Sequence, residues 1–536
     1  MTTATLHARV LIVGAGPVGM TLACELRTAG VEVDIISHTR RHSPHSRATI
    51  IWPRVLELLD RVGIAEPIIA RGHYFDQMNY YSGKHRIGLI RFDRLPDIQY
   101  PFAVTCPQWK IEQAIEDRLT ALGGHIAYDH EFIAGNQTPD SVTCTIKEPD
   151  GQCVERTYNF VIGADGYHSA VRDAFGFQFA GETLRTRLAI TDAHILGETT
   201  SSEAAYYLTR GGNMVLAPLG DGVFRVGTTV PDNYTGPDQP TRAFFEDMLR
   251  QRVPGQRRLG EMRFSGIFNA NIRAASTYSR GRVILCGDSA HSMSPSGAQG
   301  LNTGLQDAAN LGWKLAGVIE GRFPQRLLET YDQERRPAVA TVSRLSTTLA
   351  RVGLYSSTPK ILARDTLYRL GTATGMLERH LAPRLAQTTT CYGPTPKPGV
   401  LTVGQRLPLR WRTTSAEPVL DLHRYTILLS PGRTYRWQQW HDFATDIEDR
   451  HSTDARVINL AGRPPGNLTP LLPVEPVVLL ARPDGHLEHV LQPDLSARAD
   501  DSRHAIAMAL SSLVHRPHND VADARISLSA NRKEIR

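Results

Sequence analysis

The sequence predicts an α/β protein: a parallel sheet flanked by helices, a sheet-rich unit inserted into the chain that forms it, and a smaller unit after it. Three observations predict this. The first forty residues read strand, turn, helix, strand; two later strand-like runs, 157–162 and 282–286, also end in glycine-bearing turns; and the stretches between them alternate short β-type runs with turn residues. At 536 residues, with about 150 per domain as a guide, three to four domains and a large core are expected. Apolar residues make up 41% and charged residues 21%, which excludes disordered, collagen-like and low-complexity chains, and no repeat of fixed period is present.

Residues 9–13 are a short β-branched run. Gly14-Ala15-Gly16-Pro17-Val18-Gly19 follows, then a helical stretch carrying Met20, Leu22, Ala23 and Leu26, closed by Gly30, then a second strand at 31–36. In such a βαβ unit Gly14 permits the tight turn, Gly16 lets the backbone approach a pyrophosphate, and Gly19 allows close helix packing, while the helix N-terminus supplies N–H donors. The motif predicts a dinucleotide and does not choose between NAD and FAD. An acidic residue that would grip the ribose is expected at the end of the second strand, and Ser37 stands there instead. A serine hydroxyl bonds a ribose more weakly than a carboxylate does.

A helix is expected over 108–122 and a hairpin over 142–163, around Pro149-Asp150-Gly151. Strand 157–162 leads into Gly163-Ala164-Asp165-Gly166, followed by Ser169, Val171 and Arg172. Strand 282–286 leads into Gly287-Asp288-Ser289-Ala290-His291, a loop from Ser292 through Pro295 to Gly300, and a helix opening at Leu301-Asn302. That helix has one apolar face: Leu305, Ala308, Ala309, Leu315 and Ile319. Residues 76–100, with Tyr80, Tyr81 and Tyr100, and 181–277, with strand-like runs at 204–208, 214–216 and 223–230, read as a sheet-rich insertion. Its tyrosines are assigned to core, and none is named as a substrate ligand. Residues 325–391 read as helical, 394–399 as a linker, and 425–429 and 477–481 as strands of a last unit.

With these pieces in order, the chain resembles the class A FAD-dependent aromatic monooxygenases, typified by p-hydroxybenzoate and phenol hydroxylases. The resemblance rests on G-A-G-P-V-G from Gly14, G-A-D-G from Gly163, and G-D-S-A-H-S-M-S-P-S-G-A-Q-G-L-N from Gly287 with D-A-A-N-L-G-W-K-L-A from Asp307. It is completed by Y-D-Q-E-R-R-P from Tyr331, Arg47-Ala48 with Arg54 and Leu56, and Gln108 at the start of its helix. It implies a Rossmann-like FAD-binding domain formed by 1–75, 101–180 and 278–394 with a helical extension, a substrate domain formed by 76–100 and 181–277, and a thioredoxin-like domain at 395–536, as in phenol hydroxylases and polyketide-tailoring members. The last lacks a C-x-x-C, so thiol redox chemistry is closed to it and packing or oligomer contact is its expected role.

The resemblance also implies site residues. Gly14, Gly16, Pro17, Val18 and Gly19 would lie on the pyrophosphate of a non-covalent FAD, Ser37 near its ribose, and Arg47 and Gln108 along its middle, Arg47 as a cation beside the phosphates. Asp288 would accept from the ribitol chain, and the helix opening at Gly300, Leu301 and Asn302 would turn its positive end to the flavin pyrimidine. Asp165 is implied to serve both FAD and the approach of NAD(P)H, and it reads almost as readily as an aspartate satisfying a turn beside Gly166. Pro295 is implied at the flavin edge where oxygen reacts, a catalytic position, against the alternative of a proline that stiffens a turn.

The implied reaction is NAD(P)H- and O2-consuming hydroxylation of a phenolic or polyketide aromatic through a flavin C4a-hydroperoxide, with NAD(P)H as a transient reductant and O2 as co-substrate. Baeyer–Villiger oxygenation, epoxidation or dehydrogenation on the same cofactor, and a redox-inactive FAD-binding scaffold, stay open beside it. Lys and Arg number 60 against 54 Asp and Glu, a net charge of +6 without a basic block, so no nucleic-acid partner is expected. Six irregularly spaced cysteines indicate neither a disulfide framework nor a metal site and fit a reducing cytoplasm; Cys24 and Cys286 read as small buried hydrophobes. His42 and His45 read as surface residues and His291 as a residue that shapes its loop. No run of eighteen apolar residues exists, so no membrane span is expected; the uncharged segment 10–24 mimics a signal peptide, but Gly14, Gly16, Pro17 and Gly19 argue for folded structure. A homodimer is compatible with this reading.

Overall fold

The computed structural model describes residues 9–39, 49–96, 98–197, 203–396, 399–407, 419–432, 437–461, 468 and 472–493. Arg47, His42 and His45 lie outside the described residues. The nucleotide-type unit forms as expected: strand Val10–Val13, helix Pro17–Thr28 and strand Val33–Ser37, the two strands paired in parallel. They belong to a six-stranded sheet in the order 279–280, 283–285, 160–163, 10–13, 33–37, 126–128. All its pairings are parallel except that of the edge strand Ser279–Arg280. Val10, Leu11 and Ile12 are fully buried, the continuous apolar run of a parallel strand covered on both faces.

The expected strand 157–162 is divided. Cys153–Tyr158 closes a three-stranded antiparallel sheet with Val142–Lys147 and Glu131–Gln137, while Phe160–Gly163 joins the parallel sheet. Asn159, between them, donates its backbone N–H to Arg9 O at 2.8 Å, where the chain passes from one sheet to the other. Period-2 patterning continues across this junction and conceals it.

Residues of the expected insertion build an eight-stranded sheet: 291–292, 258–275, 179–196, 223–229, 212–220, 204–209, 77–82 and 85–91, in spatial order. Its pairings are antiparallel apart from Ala204–Thr209 beside Gln77–Ser82. One face packs on helix Arg242–Arg252 through Phe245, Met248 and Leu249 against Met214, Leu216, Phe224 and Val226. The edge strand His291–Ser292 pairs with Arg273 and Ala274, so the chain enters the 292–299 loop from this sheet.

Helices Glu329–Gly353, Thr358–Ala373 and Ala382–Leu385 occupy the stretch expected to be helical. The C-terminal sheet has the order 456–459, 426–430, 477–481, 487–491. Its first two strands in sequence, Thr426–Ser430 and Arg456–Asn459, are parallel and joined by helix Trp437–His451, and a hairpin supplies the other two.

The apolar face read for helix Gly300–Ile319 is not its only covered side. Every residue from Asn302 to Gly317 is buried, because the C-terminal unit covers the polar side. Covered polar groups need partners, and they find them at the 482–485 turn. Arg482 donates to both oxygens of Glu334 at 2.9 and 2.8 Å and to Asp484 at 2.9 Å. Lys314 Nζ donates to Glu334 at 2.7 Å, and Asn310 and Trp313 donate to Asp484 at 3.3 and 3.4 Å. Burial alone would raise the Glu334 pKa, but the Arg482 and Lys314 charges outweigh it and hold it at about 2. Because the folded pKa is depressed, its stabilising effect is complete above the usual carboxylate range and is lost as pH falls toward about 2. Glu334→Gln is therefore expected to cost about 3–5 kcal/mol in denaturant titrations at pH 7, and the gap from the parent should narrow below about pH 4.5.

Candidate active site

Three turns meet at the carboxyl ends of the parallel strands. In the first, Gly14 has φ +109°, and a Cβ there would lie 2.3 Å from Ala164 O. A Cβ on Gly19 would lie 2.1 Å from Gly14 O. Neither position admits a side chain, because the turn, the helix start and the second turn share that space. Gly16 differs: it caps the helix with φ −75° and ψ 176°, and a Cβ on it would meet no atom within 4 Å. The protein leaves this position open. Pro17 has no N–H and suits the first helical position, while the N–H groups of Val18 and Gly19 precede the first intrahelical donor, Met20, which bonds Gly16 O at 3.0 Å. Unpaired N–H groups beside an open glycine fit an anionic ligand.

In the second turn, Ala164 N bonds Val13 O at 2.8 Å, which ties it to the first. Asp165 spends Oδ2 on Val171 N at 3.1 Å, and its Oδ1 is enclosed with no hydrogen-bond partner. Burial raises its pKa against the pull of those local hydrogen bonds. An orphaned buried carboxylate oxygen at this junction fits a ligand donor arriving from outside the protein.

The third turn is bolted to the second: Cys286 N bonds Gly163 O at 2.9 Å, and the Ser289 hydroxyl donates to the same carbonyl. Val18 packs against Gly287 and Gly304; a Cβ on Gly304 would fall 2.8 Å from Val18 Cγ2. Asp307, fully buried, holds the turn from behind. It accepts from Gly287 N at 3.2 Å and Arg335 Nε at 2.7 Å and bonds His291 Nε2 at 2.6 Å. Burial opposes its charge, but His291 and Arg335 together hold its pKa below the usual carboxylate range. His291 thus shapes the loop, and Asp288 stands exposed on the turn.

In the loop, Ala298 N bonds Pro295 O at 2.9 Å, with Gly297 and Ala298 both left-handed at φ +81° and +52°. Pro295, half-buried, heads this turn. Trp52 Nε1 donates to Gly297 O at 3.1 Å and Ala298 O at 3.2 Å, and the Ser346 hydroxyl to Ser294 O and Ser296 O at 2.6 and 2.7 Å. The Asn302 side chain is consumed in the same frame: it donates to Ile50 O at 2.7 Å and Ala298 O at 2.9 Å and accepts from Trp52 N at 2.8 Å. Only its backbone is left to face a ligand, with those of Gly300 and Leu301. Thr303 N, at 2.9 Å from Gln299 O, makes the first intrahelical bond, so those three N–H groups have no helical acceptor.

The remaining expected residues are more peripheral. Ser37 ends its strand and donates its hydroxyl to Thr39 O at 3.0 Å. Gln108 opens helix Gln108–Ala121 and donates to Glu112 at 2.8 Å. Sequence reasoning missed Trp52, Gln387 and Tyr206. Gln387, buried in a left-handed conformation, donates to Gln299 Oε1 at 2.6 Å and Thr303 Oγ1 at 3.1 Å, bracing the helix start. The Tyr206 hydroxyl meets the Gly297 backbone, and burial pushes its pKa up to about 12, so it is a neutral phenol at pH 7. The Tyr80-Tyr81 and Tyr206-Tyr207 doublets, each with one ring per sheet face, were the available signal. No group of side chains suited to a metal ion is present among the described residues, and no helix among them is long and apolar enough to cross a membrane.

The model of the FAD binding domain family matches residues 7–346, and the chain belongs to that family. Several of its relatives carry the names of monooxygenases. It is 35% identical over 332 residues to an uncharacterized aromatic compound monooxygenase, YhjG, of Bacillus subtilis, a match spanning 61% of this chain and 65% of that protein. It is 35% identical over 358 residues to a rifampicin monooxygenase of Streptomyces venezuelae, spanning 65% and 72%. Among solved structures, OxyS anhydrotetracycline hydroxylase from Streptomyces rimosus superposes with a TM-score of 0.75 at 26% identity, over 96% of this chain and all of that one.

The open space at Gly16 gives a test that separates fold from ligand. Gly16→Val should keep the ligand-free protein within about 1 kcal/mol of the parent in denaturant, since its dihedrals suit any residue. It should weaken FAD binding about 100-fold or more in a fluorescence titration.

Proposed function

We propose that this protein is a FAD-dependent monooxygenase that uses NAD(P)H and O2 to hydroxylate a phenolic or polyketide aromatic. The observation that carries the reading is the second face of the eight-stranded sheet. Helix Arg242–Arg252 covers one face; the other carries Tyr206, Val215, Ile190 and Phe264, and Tyr206 brings it against the 292–299 loop. An apolar wall beside that loop supports a substrate pocket there. The buried pair Arg225–Asp192, with Nε to Oδ1 at 2.5 Å, lies on the same wall and supplies polar orientation. The monooxygenase names of the relatives support the reaction type.

FAD, when bound, supplies the redox chemistry by which one oxygen atom of O2 reaches the ring. The chain's own residues bind and orient. Gly14, Gly16, Pro17, Val18 and Gly19 receive the pyrophosphate, Asp165 and Asp288 take hydroxyl or N–H donors of the cofactor, and Ser37 and Gln108 flank it. The N–H groups of Gly300, Leu301 and Asn302 stabilise negative charge on the flavin ring, and Pro295 shapes the edge where oxygen and substrate meet. Residues 76–100 and 181–277 act as the substrate unit, and water is excluded where sheet and loop close together. We further assign 395–536 to a thioredoxin-like unit without thiol chemistry; the β-α-β order from 426 to 459 and the following hairpin support it.

Purified protein loaded with FAD should oxidise NAD(P)H faster when an aromatic phenol is added, and the product should gain one atom of isotopic oxygen from O2. Unchanged oxidation across single-ring and fused-ring phenols would overturn the proposal.

A further inference from the structure

Resting on that reading, the wall itself points to which substrates it takes. The strand registers align one cross-strand row on the face opposite helix Arg242–Arg252: Tyr80, Tyr206, Val215, Gly227, Ile190 and Gly266, its Tyr80 end covered by Tyr368. From the Tyr206 hydroxyl on the Gly297 backbone the row runs over five strands to Gly266. Two of its last three positions are glycine, on either side of Ile190. The neighbouring row on the same face carries Arg225, Asp192 and Phe264, and Phe268 stands beyond the glycine row on the other side.

Neither glycine is required by the backbone. Gly227 and Gly266 are absent from the positive-φ glycines, so an L-residue fits both. Neither is required by packing: a Cβ on Gly266 would meet nothing within 4 Å, and one on Gly227 only ordinary contacts, Ile190 Cγ2 at 3.8 Å and Val215 Cβ at 4.0 Å. Glycine inside a strand weakens it and marks places where another body approaches the backbone closely. Two such positions in one row, on the face not covered by helix Arg242–Arg252, leave a shallow floor, raised only at the Ile190 side chain between them, bounded by the side chains of Phe264 and Phe268. Across its three strands the floor is two strand spacings long, roughly 10 Å. That is wider than a single benzene ring and suits a flat fused-ring system.

We infer that Gly227 and Gly266 are specificity-determining residues that admit a planar, fused-ring phenol and that a single-ring phenol does not need. The test uses full-length protein loaded with FAD, with a dihydroxyanthraquinone and phenol as probes, and reads each dissociation constant from the change in bound-flavin absorbance. Gly227→Val and Gly266→Val are compared with the parent and with Ala205→Val on the covered face. The parent should bind the fused-ring probe roughly tenfold or more tightly than phenol. Each glycine variant should lose about tenfold or more on the fused-ring probe, keep its affinity for phenol, and melt at the parent temperature.

Equal losses on both probes, or none on either, would overturn the assignment of the glycines while leaving the hydroxylase reading standing. Absence of any flavin perturbation in the parent by either probe, with FAD still bound, would remove the substrate site itself and the inference with it. If a valine variant folds poorly, Gly266→Ala gives the same ordering with a smaller loss.

Discussion

The whole arrangement depends on a crowding of backbone at Gly14 and Gly19. Gly14 lies against Ala164 O, and Gly19 against Gly14 O, at distances no Cβ tolerates. The first turn, the helix start and the second turn are therefore one unit, and the third is joined to them by Cys286 N and Ser289 on Gly163 O. Residues separated by more than 270 positions in sequence thereby share one small volume, with Gly16 as the place left open. Asp307 completes the frame, since Arg335, His291 and a backbone N–H converge on its carboxylate and fix the third turn to helix Gly300–Ile319.

That helix carries structure and function together. Its N-terminal N–H groups face the proposed flavin position, while its remaining length is sealed in by the C-terminal unit through Arg482, Asp484, Glu334 and Lys314. Arg335, bound to Asp307, also donates to Tyr392, whose ring packs on His486 at a centroid distance of 4.2 Å. The C-terminal unit is in this way continuous with the scaffold behind the site, a physical reason for its presence that requires no chemistry of its own.

Much of the site was legible because its chemistry is local. A glycine that must avoid a clash leaves a fixed mark in sequence, and Gly14 and Gly19 could be read at once. Strand pairing leaves no such mark, which is why the division at Asn159 went unseen and why Tyr206 could be placed in a sheet but not against Gly297. Asn302 illustrates a different limit: its position at the helix start was legible, but its side chain belongs to a frame with Trp52 and Ile50, 250 residues away. Asp307 and Gln387 are polar residues buried only because distant segments cover them. Helical periodicity could not foresee a second covering layer over helix Gly300–Ile319.

The central claim is that three sequence-distant turns form one binding surface for one molecule. Amide hydrogen exchange with and without FAD tests it most directly. The account predicts that FAD slows exchange together in segments 14–20, 163–171 and 287–303, with one shared dependence on FAD concentration. Protection confined to a single segment, or three segments responding at different concentrations, would contradict it.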